Sequence, residues 1–204
     1  MSGTLFIVSA ASGTGKTTLV KALLENCTNL SVSISHTTRP IRAGELNGVH
    51  YHFLDKTTFI NRIGEGEFLE HAEVFGNYYG TARSTVETAL SQDRDIILEI
   101  DWQGAQQIRH LYPQAVSIFI IPPSRDALRQ RLQNRGQDSA EIINQRLSGA
   151  IADISHFVEF DYVVINDDFD IALEELRSIV QAARLRQSVQ VIRHLTRIES
   201  LLSE

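Results

Sequence analysis

The stretch Leu5-Phe6-Ile7-Val8-Ser9-Ala10-Ala11-Ser12-Gly13-Thr14-Gly15-Lys16-Thr17-Thr18 decides the fold. An apolar run of strand length ends in small residues and two glycines, and a segment with helical spacing, 16–26, follows at once. A phosphate-binding loop requires that order. Small residues let successive backbone N–H groups turn inward around phosphate oxygens, and the helix N-terminus adds the positive end of its dipole. Lys16 then reaches the outer phosphates of a nucleoside triphosphate, and the Thr17 hydroxyl is placed to ligate Mg2+. Residues Ala11, Ser12, Gly13, Thr14, Gly15, Lys16, Thr17 and Thr18 form the candidate triphosphate site. The usual pattern begins with Gly where Ala10 stands; Ala is tolerated there if its backbone stays near the β region.

Working outward, the apolar, β-branched runs 5–9, 95–100, 117–121 and 162–165 read as buried parallel strands. Segments 103–111, 125–134 and 140–158 have helical spacing. Their alternation predicts an α/β fold, a parallel sheet core with helices on both faces. The region 31–83 breaks the rhythm, with short alternating pieces at 33–37, 49–54 and 68–74 between glycines. It reads as an inserted, mixed α/β lobe with several short antiparallel strands. The expected division is one domain over 1–204, with a core at 1–32 and 84–204, a lobe at 33–83 and a small lid at about 134–146. Near the end, Leu185, Val189, Ile192, Leu195, Ile198 and Leu202 form one helical stripe that is expected to cover the core; self-association of copies is the other use for it.

Composition narrows the function. Apolar residues at 43% and charged residues at 22% exclude a disordered or fibrous chain. A net charge of −6 disfavours a nucleic-acid polymer as partner, so the basic clusters at Arg39/Arg42 and along 125–146 stand out. No run approaches the roughly 20 apolar residues that cross a bilayer. The apolar run at 5–8 is short and no Lys or Arg precedes it, which disfavours a signal peptide. Cys27 has no second cysteine to pair with, which fits a reducing compartment and a cytoplasmic location.

The acceptor side is written in the lobe. Arg39 and Arg42 flank Pro40; Ser35 precedes them, and Tyr51, Glu70, Tyr79 and Thr81 follow in the same region. Two guanidiniums with two tyrosine hydroxyls suit a phosphate monoester, a dianion with several acceptor oxygens. With Thr37-Thr38-Arg39, Gly76-Asn77-Tyr78-Tyr79-Gly80, Asp101-Trp102-Gln103-Gly104, Arg135-Gly136 and Asn166-Asp167-Asp168 in this order over nearly the whole chain, the sequence resembles the guanylate kinases, in their bacterial form. The resemblance implies a P-loop NTPase-type core and a GMP-binding lobe. It also implies transfer of the γ-phosphoryl group of ATP to GMP, and to dGMP, with Mg2+ held by Thr17, waters and phosphates. It implies that Arg39, Arg42, Tyr51 and Tyr79 hold the GMP phosphate. Ser35, Glu70 and Thr81 would read the base, with Asp101 nearby, serving either the guanine amino group or Mg2+ through water. Lys16, Arg131, Arg135 and Arg146 would form the catalytic clamp on the ATP phosphates, and Asn166 and Asp167 would lie at the adenine.

Chemistry supports Glu70 independently. Guanine presents N1–H and N2–H2 on one edge, and one carboxylate accepts from both. Adenine has no proton on N1, and each buried polar group left unpaired costs on the order of 1–3 kcal/mol. Phosphoryl transfer asks mainly for alignment and charge neutralisation, so no separate catalytic base is required. His50 and His52 alternate on a strand, but a surface or lobe-packing role is the expectation rather than a metal site. Trp102 is expected to pack beneath the site. A kinase for AMP or dTMP is disfavoured by Glu70 and Ser35. A non-catalytic binding module with a degraded phosphate loop is disfavoured by intact Gly13, Gly15, Lys16 and Thr17.

Overall fold

In the computed structural model, residues 3–74, 76–133 and 140–203 are described, and 140–146 by their backbone alone. The chain runs β1 (Leu5–Ala10), α1 (Lys16–Asn26), β2 (Leu30–Val32), β3 (His36–Thr37), β4 (His52–Phe53), α2 (Lys56–Gly64), β5 (Phe68–Val74), β6 (Asn77–Ala82) and α3 (Arg83–Ser91). It continues through β7 (Asp95–Glu99), α4 (Trp102–Leu111), β8 (Val116–Ile121), α5 (Arg125–Gln133), α6 (Ala140–Ile154), a 3-10 turn (Ser155–Glu159), β9 (Tyr162–Ile165), α7 (Phe169–Arg184), α8 (Gln187–Arg193) and α9 (Leu195–Leu202).

The period of a strand explains the core. Successive side chains of β1 point to opposite faces, and both faces are buried. Phe6 and Val8 pack with Leu19, Val20 and Leu23 of α1 and with Ala172, Leu176 and Val180 of α7. Leu5 and Ile7 pack on the other side with Val86 and Leu90 of α3 and with Ala105 and Ile108 of α4. Such a strand is apolar throughout, as the parallel-sheet reading requires. The core sheet is wholly parallel in the order β2-β7-β1-β8-β9. Its fifth strand, β2, was not among the expected four: it is only Leu30-Ser31-Val32, half-buried at the sheet edge.

Residues 36–82 build a second sheet, β4-β3-β6-β5. The antiparallel expectation holds for β3–β6 and β5–β6, whereas β3 and β4 pair in parallel. Phe59 of α2 stacks on Phe68 at 4.6 Å and plugs this layer. His36 is buried, stacked on His52 at 4.6 Å, and its Nε2 accepts from Arg62 at 3.3 Å. His50 Nδ1 accepts the Leu46 N–H at 3.1 Å. His36 and His52 thus pack the lobe while His50 lies exposed, and among the described residues no group of three or more His, Cys, Asp or Glu is arranged to hold a metal.

The C-terminal stripe behaves differently from its expected role. Neither α8 nor α9 has a buried residue, and Leu185, Ile192, Leu195 and Leu202 are all exposed. The helix is broken at His194, which ends α8 and begins α9 with non-helical angles, so the stripe never forms one face over the core. A polar clasp supplies attachment instead. Asp95, fully buried, accepts from Arg184 Nε at 2.7 Å, from Arg193 at 3.4 Å and from the Thr4 N–H at 2.7 Å. Among the described residues no helix is long and apolar enough to cross a membrane.

Removing one member of a buried charge cluster strands the others. Asp95→Ala is therefore expected to cost about 3–5 kcal/mol of folding stability in urea denaturation; a loss under about 1 kcal/mol, the range of an exposed ion pair, would contradict this role.

Candidate active site

The carboxyl ends of β1 and β7 open into a cleft of about 780 Å³, walled on its far side by the second sheet. Open α/β sheets bind ligands at this edge. One end of the cleft is the phosphate loop. Gly13 at φ 90° and Gly15 at φ 94° take a backbone region that L side chains avoid. A side chain at Gly15 would also meet the Asn166 amide. Ala10 closes β1 in strand geometry, which is why Ala serves where Gly is usual.

Lys16 opens α1 at the floor of the cleft with its side chain 20% exposed. Burial lowers its pKa, and the nearby charges of Glu99, Asp101 and Glu70 oppose that shift. Its ammonium lies 4.0 Å from Glu99 Oε2, and the Thr17 hydroxyl donates to the same oxygen at 3.2 Å. Glu99 was not among the expected site residues; Asp101 was. The signal was present, because Glu99 ends β7 only two residues before Asp101, at the same edge of the sheet. Asp101 is occupied otherwise: its Oδ1 accepts the Gly104 N–H at 2.9 Å and so caps α4. Hydroxyl and carboxylate oxygens side by side fit the hard-ligand preference of Mg2+.

The loop is braced from behind. Asn166 Nδ2 donates to the Thr14 carbonyl at 2.6 Å, Arg131 donates to that carbonyl at 3.1 Å, and Arg131 also donates to the Asn166 carbonyl at 2.9 Å. The structure therefore places Asn166 and Arg131 against the loop backbone, outside the lining of the cleft. Asp167 is exposed beside them. Arg135 and the Arg146 side chain lie outside the described residues.

Glu70 faces the cleft from β5 and is 3% exposed. Its Oε1 accepts from the Thr81 hydroxyl at 2.5 Å, across a bulged stretch of the β5–β6 pairing. A Cβ at position 104 would collide with its other oxygen, so Gly104 is what leaves room for the carboxylate beside α4. Desolvation pushes the Glu70 pKa up to about 7; the Thr81 hydrogen bond and Lys16 hold it down, and Asp101 pushes it up. Thr81 is fully buried beneath Glu70, outside the lining of the cleft.

At the mouth, Arg39 lies over the rings of Tyr51 (5.5 Å) and Phe53 (5.8 Å), and Tyr51 meets Tyr79 edge to face at 6.0 Å. Thr37 and Thr38 fasten this loop to β6: Thr37 Oγ1 donates to the Tyr78 carbonyl at 3.0 Å and Thr38 Oγ1 accepts the Tyr78 N–H at 2.9 Å. Ser35, Arg39, Arg42, Tyr51, Glu70, Tyr79 and Asp101 thus share one cleft with residues 11–18. Asp153 joins them, unforeseen, with its carboxylate accepting from the Trp102 indole at 3.3 Å. Trp102 stacks flat on His156 at 3.6 Å, tying α4 to the 3-10 turn that follows α6.

The family model described as guanylate kinase matches residues 2–183. The guanylate kinase of Acinetobacter baylyi is 57% identical over 203 residues, covering 100% of this chain and 98% of that protein. That of Vibrio cholerae is 54% identical over 204 residues, covering 99% of each. The crystal structure of guanylate kinase from Anaplasma phagocytophilum superposes with a TM-score of 0.80 at 35% identity, over 95% of this chain and 93% of that one. This chain belongs to the guanylate kinase family.

Proposed function

We propose that the chain transfers the γ-phosphoryl group of ATP to GMP, giving ADP and GDP, and that dGMP is a weaker acceptor. One observation carries the reading: the buried carboxylate of Glu70 and a phosphate loop with its lysine line the same cleft. The guanine N1–H and N2–H2 donate to Glu70, with Thr81 orienting that carboxylate and Ser35 and Asp101 beside the base. The GMP phosphate lies between Arg39, Arg42, Tyr51 and Tyr79. The ATP phosphates lie in loop 11–18 against Lys16, whose charge offsets the negative charge that spreads in the transition state.

The Thr17 hydroxyl and the Glu99 carboxylate would hold Mg2+, which would supply charge neutralisation at the phosphates. Arg131 and Asn166 hold the loop in shape, and Asp167 borders the adenine. Arg135 and Arg146 complete the clamp by similarity to the family. The chain acts as one domain with core 1–32 and 84–204, GMP lobe 33–83 and lid at about 134–146. Closure of lobe and lid excludes water, which keeps ATP from simple hydrolysis. The working location is the cytoplasm. Copies associate through the exposed apolar residues of α8 and α9.

ADP formation with ATP, Mg2+ and a panel of monophosphates tests the reading. GMP is expected to be used well, dGMP less well, and AMP, CMP, UMP and dTMP hardly at all. Preference for another nucleotide would remove the role of Glu70, and inactivity with all would overturn the proposal.

The pKa of Glu70 gives a second test. Its folded value of about 7 lies above the ordinary 4.5. Its contribution to stability is therefore fully present below the unfolded value and is lost as pH rises through about 7. Glu70→Gln cannot lose a proton. The melting temperature of the ligand-free variant, relative to the parent, is expected to climb between about pH 5 and about pH 8; a flat difference would contradict the assignment.

A further inference from the structure

Glu45 has no role in the scheme above, yet it organises the phosphate end of the cleft. Between β3 and β4 the chain has no helix or strand, and residues 40–44 are largely exposed. Arg39 is the exception, with a side chain only 10% exposed. Aromatic faces support its guanidinium but do not set its rotation. Hydrogen bonds do. Arg39 donates from one terminal nitrogen to the Pro40 carbonyl and from the other to Glu45 Oε1, each at 2.7 Å. The second carboxylate oxygen of Glu45 accepts the Arg42 N–H at 2.8 Å, while the Glu45 N–H donates to the Arg42 carbonyl at 3.0 Å. Gly44, at φ 84°, makes that tight turn. One carboxylate therefore ties together both arginines of the proposed phosphate site. The hydrogen bond from Arg39 holds the Glu45 carboxyl below its ordinary pKa, so it stays charged at neutral pH.

We infer that Glu45 is a positioning residue for the acceptor phosphate, acting through Arg39: it fixes the guanidinium from the outer side so that its remaining N–H groups face the cleft. The inference rests on the assignment of Arg39 to the GMP phosphate. Two effects compete. The Glu45 charge repels an incoming dianion, but across a cleft open to water that repulsion is screened. Without Glu45, a long side chain in an irregular loop must be ordered by the ligand itself, and a part-buried cation loses its counter-ion. The second effect wins, so removing Glu45 weakens GMP use although it removes a like charge.

Steady-state kinetics of Glu45→Ala and Glu45→Gln, each alone and in an Arg39→Ala background, tests this. Glu45→Ala is expected to raise KM for GMP about tenfold or more, with kcat and KM for ATP changed by no more than about twofold. Glu45→Gln keeps an acceptor but not the charge, and is expected to fall between. Binding of guanosine, which has no phosphate, is expected to be unaltered. In the Arg39→Ala background the Glu45 substitutions are expected to add nothing, because the two act as a unit. An unchanged or lower KM for GMP in Glu45→Ala would overturn the inference, as would a further, additive loss on top of Arg39→Ala. If Glu45→Ala does not fold, Glu45→Gln carries the same comparison. Normal GMP use by Arg39→Ala would instead overturn the phosphate assignment, and the inference with it.

Discussion

A carboxylate shut away from water, as Glu70 is, is the constraint around which the acceptor side is arranged. Its ionised form is costly without partners, and its neighbourhood supplies them incompletely. Thr81 gives one hydrogen bond, Lys16 a favourable charge, and Asp101 an unfavourable one. The group is left poised between acid and carboxylate. A ligand edge with two adjacent N–H donors resolves that tension, and guanine has one. Gly104 follows from the same need, since it leaves space for this side chain at the start of α4.

The donor side answers a different demand, holding a polyanion with fixed dipoles. Because the sheet is parallel, β1 and β7 end at the same edge. The loop after β1 and the carboxylates at the end of β7 therefore meet without any long-range adjustment. The loop owes its shape to glycines at positive φ and to the brace of Arg131 and Asn166 on the Thr14 carbonyl. Those two residues come from α5 and from the end of β9, so the loop is fixed by elements far from it in sequence.

Much of this was legible from the sequence. Strands such as β1 and β8, buried on both faces, are apolar at nearly every position, and the phosphate loop has a local pattern. The paired arginines and Glu70 declared themselves by chemistry and by resemblance. The remainder depended on tertiary context. The brief β2 lacks the length to show a period. The segment now seen as β6 was read as a ligand-binding motif, because glycines and tyrosines hid its alternation. The C-terminal stripe was regular in spacing, yet His194 interrupts the helix and the apolar positions face outward. Glu99 and Asp101 were both visible, but only the fold shows that Asp101 caps a helix while Glu99 reaches Thr17. Glu45 could not be distinguished from any other loop carboxylate until the turn at Gly44 brought it back onto Arg39.

The central claim, that Glu70 is a poised carboxylate which guanine ionises, is open to direct measurement. A 13C NMR titration would follow the carboxyl carbon of Glu70 in the free enzyme and with GMP bound. A midpoint near 7 is expected in the free enzyme, and with GMP bound a signal that stays ionised well below that pH. A Glu70 that titrates like an ordinary exposed glutamate, near about 4.3, in both states would contradict it.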